Sequence, residues 1–126
     1  MSIPVSIRMS ANAINAMPLR LFISGLSTRL GFDIETIEDI KTVVSEVCVL
    51  LFRDVSEGEF EVIINAEKNL DITAKLISAK YAECEEDDGT IELSKMLVEA
   101  LADETYIMTN DSGNIDKVRI VFNLGE

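Results

Sequence analysis

The sequence predicts an α+β fold, a two-layer sandwich with helices on one face of a mostly antiparallel sheet. Three observations carry this expectation. Val5–Ser10 (V-S-I-R-M-S) alternates apolar and polar residues with the period of a half-buried strand. Two consecutive stretches, ending at Leu30 and Phe52, then place apolar side chains at helical spacing. Beyond Gly58 the chain returns to strand-like runs separated by turn residues, with one further helical stretch among them. The order is β-α-α-β-β-α-β-β.

Each element has a local reason. Asn12 or Asn15 can cap a helix starting near Ala16, with Pro18 tolerated in its first turn. Leu19, Phe22, Ile23, Leu26 and Leu30 fall on one face, and Gly31 stops the helix. Asp33 offers the next N-cap, and Glu35, Glu38 and Asp39 load the following turns with acid, which the positive end of a helix favours. Ile37, Ile40, Val44, Val47, Cys48 and Leu51 form the core stripe of this second helix, and Val47–Phe52 is apolar all round, implying burial on both sides. Ser56-Glu57-Gly58 reads as a turn. Glu59–Ala66 and Leu70–Ala79 read as strands joined at Glu67-Lys68-Asn69, and Lys80–Asp88 as a charged irregular tract. Thr90–Asp103 returns to helical spacing through Ile91, Met96, Leu97, Ala100 and Leu101. Glu104–Thr109 and Lys117–Asn123 form a last hairpin across Asn110–Asn114.

Composition narrows the chemistry. A length of 126 residues suits one domain, residues 1–126, with a single core. The 23 acidic against 11 basic residues give a net charge of −12, which repels nucleic-acid phosphates and leaves solubility, or a basic protein partner, as its purpose. With no histidine there is no Ser-His-Asp triad, no Cys-His dyad and no His-ligated zinc. The two cysteines, Cys48 and Cys84, are too few for a four-thiolate site and are expected as free thiols. No segment approaches the roughly 18 apolar residues of a membrane span, and MSIPVSIRMS lacks a signal-peptide core, so a cytoplasmic location is expected. The acidic tract before Gly89 fails as an EF-hand loop, because its first and twelfth ligands would be Cys84 and Lys95. The tract before Gly113 fails likewise at Met108 and Arg119. Both read as solvated loops, and no metal site is expected. Neither G-x-x-x-x-G-K-[ST] nor G-x-G-x-x-G occurs.

Three separated runs carry a family resemblance. Leu19–Leu26 (LRLFISGL) precedes Arg29–Phe32 (RLGF), Thr36–Phe52 contains I-E-D-I-K-x-x-V-S-E-V-C, and Leu97–Glu104 reads LVEALADE. In this order they resemble the anti-sigma-factor serine kinases, small bacterial members of the GHKL ATPase superfamily, and the resemblance covers nearly the whole chain. It implies the GHKL (Bergerat) ATPase-like fold. In that family the Glu matched by Glu46 positions or activates the attacking group, and an Asn four residues later ligates Mg²⁺. Here that later position is Leu50, and leucine offers no oxygen to a hard cation.

The other nucleotide boxes depart similarly. By resemblance Leu76 stands at the Asp that accepts the adenine amino group and Ser78 at the first glycine of that box. Glu92 and Ser94 stand in the G-x-G turn whose N–H groups cradle phosphates, and Glu92 puts an anion there. The lid over ATP shortens and carries Glu83, Glu85, Glu86, Asp87 and Asp88. Either Leu50 and Leu76 fill part of the former nucleotide cavity, or an apolar cavity remains for another ligand. Glu46 lies about 180° from the Ile37–Val44–Leu51 stripe and is either a vestige of the catalytic group or an exposed glutamate without a task.

The resemblance therefore implies a regulatory protein-binding module without Mg·ATP or kinase activity. Family members hold a sigma factor on a homodimer and release it to an anti-anti-sigma protein, which they phosphorylate on serine. The expected partners are a sigma factor, an anti-anti-sigma protein or both, with a second copy as a further candidate, and with no direct nucleic acid and no membrane. The alternative is a working serine kinase with a rebuilt site, using Glu46 as base and an acid from Glu83–Asp88 as Mg²⁺ ligand. A third reading is a structural subunit that only dimerises.

Overall fold

The computed structural model describes residues 4–82 and 89–125. In chain order the elements are β1 (Val5–Ser10), α1 (Ala16–Leu30), α2 (Ile34–Phe52), β2 (Val55–Ala66), β3 (Asn69–Tyr81), α3 (Thr90–Leu101), β4 (Glu104–Thr109) and β5 (Ile115–Asn123), with a 3-10 turn at Ala13–Asn15. The strands form one sheet in the order β1-β2-β3-β5-β4, and every neighbouring pair is antiparallel. The expected α+β element order is present.

Strand periodicity builds the two layers. Phe60, Val62 and Ile64 of β2, Leu70, Ile72 and Ala74 of β3, and Val118, Ile120 and Phe122 of β5 alternate along their strands and are buried. They join Leu19 and Ile23 of α1, the buried stripe of α2 and Val98 of α3 in one core cluster. α2 runs between the other two helices and over β3 and β5. Its end is pinned where Phe52 meets Phe60 edge-on, ring centroids 4.6 Å apart.

The other sheet face mixes charged pairs with apolar residues, Val121 buried among them. Arg119 makes a two-point pair with Asp71 (3.0 and 2.7 Å) and lies 5.3 Å from the Tyr106 ring centre. Glu61 lies between Arg8 and Lys75.

Several local expectations need correction. Ser56-Glu57-Gly58 is not a turn; it belongs to β2, which bulges between Val55 and Glu57 and again at Glu59/Phe60. Gly58 serves close strand approach, since a Cβ there would stand 2.3 Å from the Ser78 carbonyl oxygen. Lys80 and Tyr81 extend β3 rather than starting an irregular tract, and β5 begins at Ile115. Asn12 caps the 3-10 turn by accepting the Ile14 N–H (3.1 Å), whereas Asn15 turns back to donate to Ser10 and leaves α1 without a side-chain cap. Asp33 caps α2 as expected, accepting the Thr36 N–H at 2.8 Å, and the Thr36 side chain together with that N–H holds its carboxyl below the usual aspartate range. Gly31 ends α1 in the left-handed conformation at φ 95°. Phe22 is exposed, and Val49 interrupts the all-round burial of 47–52. On α3 the buried positions are Ser94 and Val98, while Met96 and Ala100 face solvent.

Candidate functional site

Glu46 and Ser94 are nominated from segments 48 residues apart, and the fold brings them together. Val43, Val44, Val47 and Cys48 anchor α2 in the core, and this turns Glu46 toward α3. Ser94, only 2% exposed, points from α3 back at α2. Its hydroxyl donates to Glu46 Oε2 at 3.4 Å, a long contact that nevertheless gives a buried hydroxyl its acceptor. Glu46 is half-buried, so it is not the freely exposed side chain of one sequence reading. The pair has the chemistry of a helix–helix fastening: an acceptor carboxylate, a donor hydroxyl and apolar neighbours.

Leu50 follows Glu46 by one turn and is 4% exposed within the core cluster. Beside it lies a cavity of about 110 Å³, lined by Leu50, Leu51, Arg53, Asp54, Tyr81, Ile91 and the Gly113–Ile115 turn. Small-molecule pockets typically span about 300–1,000 Å³. The space formed by these residues is well short of that range, and Glu46, Leu76, Ser78 and Ser94 do not line it.

The remaining nominated positions are dispersed. Leu76 is half-buried and packs against the core from β3, less enclosed than a filled cavity would require. Ser78 is exposed and lines a separate, open surface depression of about 380 Å³ with Glu57, Gly58, Glu59, Ala79 and Lys80, away from Glu46, Leu50 and Ser94. Glu92 is exposed on α3 and pairs with Lys95 at 3.8 Å. The structure thus assembles Glu46, Ser94 and Leu50 around the α2–α3 junction and leaves Ser78 and Glu92 at the surface.

Cys48 is a free, buried thiol, and loss of solvation pushes its pKa up to about 12. It acts as a small apolar core group with no nucleophilic role at neutral pH. Cys84, the shortened lid and the acids of Glu83–Asp88 lie outside the described residues. Among the described residues no three acidic or thiol side chains converge as a metal site would require.

Sequence reasoning missed the polar lining beside Leu50. Tyr81 was assigned to an irregular tract, and Arg53, Asp54 and Asn114 sit at element ends, where periodicity carries no signal. The Asn110 carboxamide gave a legible hint as a turn residue. Its oxygen accepts from the Ser112 and Asn114 N–H groups, both at 3.0 Å, and shapes the loop over the cavity.

No protein-family model matches this chain, and no curated protein matches it with significance. No helix among the described residues is long and apolar enough to cross a membrane.

Proposed function

We propose that this chain is a regulatory protein-binding module, a degenerate relative of the anti-sigma-factor serine kinases with a GHKL (Bergerat) architecture, acting in the cytoplasm without Mg·ATP. The observation that carries this reading is the burial of Leu50. At the position where the resembling family holds Mg²⁺ through an Asn, the side chain is apolar and enclosed, one turn beyond Glu46. The half-buried Leu76 and the Glu92 anion add to it, as does the small volume beside Leu50.

Partner binding is supported by surfaces the fold leaves open. In the sheet order β1 has a strand neighbour on one side only, and the 3-10 turn and α1 that follow it expose Ile14, Met17 and Leu21. A second copy, a sigma factor and an anti-anti-sigma protein are the proposed occupants, and the −12 charge disfavours nucleic acid. The test is gel filtration of the purified chain with the sigma factor and the anti-anti-sigma protein of its own organism, with and without Mg·ATP. Coelution with at least one of them, indifferent to nucleotide, is expected. Transfer of labelled γ-phosphate to a serine of the anti-anti-sigma protein would establish the kinase reading instead.

A further inference from the structure

α3 commits one face to the fold and leaves the other free of it. Ser94 and Val98 are buried, with Ile91 and Leu101 half-buried beside them. On the opposite side Leu93 is 58% exposed and Met96 65% exposed, and neither belongs to the core cluster. Ala100, also exposed, continues the line, so positions 93, 96 and 100 form one stripe at helical spacing. Nothing in the packing of α3 requires apolar residues there.

The stripe has an acidic border. Glu92 and Glu99 run along one side of it and Asp103 follows the helix end, all three exposed. The cation on this helix, Lys95, is drawn to Glu92 at 3.8 Å. An apolar ridge with acids along one side selects its occupant by charge. A second α3 would set Glu99 against its own copy, and an anionic bilayer surface would meet the same repulsion. A helix with apolar residues along one side and Lys or Arg beside them satisfies both ridge and border.

We infer that the outer face of α3 is a docking surface for a cationic amphipathic helix of a partner protein. This deepens the protein-binding reading and rests on it. Of its residues only Glu92 is also a nucleotide-box position; Leu93, Met96 and Glu99 are not, so the peptide test and the Mg·ATP test can fail separately.

The test is fluorescence anisotropy at physiological salt, with a labelled leucine–lysine peptide designed as an amphipathic helix. A permuted peptide of equal composition but no apolar face is the control. Saturable binding is expected, weaker by about tenfold or more in Leu93→Ser/Met96→Ser and in Glu92→Gln/Glu99→Gln, and for the permuted peptide. Glu35→Gln/Glu67→Gln removes as much charge from other exposed sites and should leave the affinity unchanged. All three variants change exposed residues, and circular dichroism melts verify that each is folded. Absence of binding overturns the inference. So does equal affinity for both peptides, or an unchanged affinity in Leu93→Ser/Met96→Ser, since either assigns the attraction to net charge alone. Self-association by light scattering that is lost in Leu93→Ser/Met96→Ser would give the ridge to a second copy and also overturn it.

Discussion

The interior end of α2 and the outer flank of α1 carry the same kind of side chain and treat it in opposite ways. Around Leu50 the apolar residues are closed into the core, where the resembling family opens its helix to a metal and a nucleotide. Along the 3-10 turn and the start of α1, Ile14, Met17 and Leu21 stand at least 64% exposed and outside the core cluster. Apolar side chains where a cofactor would bind remove chemistry. Apolar side chains left in water keep free energy available for association, because their burial has not yet been realised. The contrast is the one the proposed protein-binding reading calls for.

Substitution at the two places should break or sharpen that contrast, and the larger effect belongs to the interior. Leu50→Asn puts an amide in place of a side chain only 4% exposed and should cost about 2–4 kcal/mol, chiefly from lost apolar burial. The same residue at an exposed site, Met17→Asn, should change stability by less than about 0.5 kcal/mol. Urea unfolding of both variants measures the difference. Equal, small effects would mean that Leu50 faces an accommodating polar space and that the interior end of α2 is not closed.

A smaller effect tests the junction. Ser94→Ala and Glu46→Ala, alone and together, give a double-mutant cycle across the 3.4 Å contact. The coupling should not exceed about 1 kcal/mol, as suits one long hydrogen bond from a buried serine to a half-buried carboxylate. A much larger coupling would assign Glu46 and Ser94 to a pre-organised polar site.

The sequence carried the helices and the core better than the surfaces. Asp33, Gly31 and the Ile40–Leu51 stripe were legible because caps and 3.6-residue spacing are local signals. β2 was cut short because Gly58 looks like a turn residue, and only its approach to the Ser78 carbonyl explains it. Ser94 was singled out for departing from a phosphate loop, yet its burial comes from α3 rotating Met96 outward, a choice that tertiary packing makes. The Asp71–Arg119–Tyr106 arrangement joins three strands, and no spacing along the chain announces it. Leu50 was legible as a missing ligand; that it is enclosed needed the fold.

The most direct measurement is the melting temperature of the chain titrated with Mg·ATP into the millimolar range, against Mg²⁺ alone. A ligand at 100 times its dissociation constant stabilises a folded protein by about 2.7 kcal/mol. For a domain of this size that is a rise of several degrees. The account predicts no rise beyond the Mg²⁺ control, because Leu50 supplies no ligand and the space beside it is too small. A saturable, nucleotide-dependent rise would contradict it and restore the kinase.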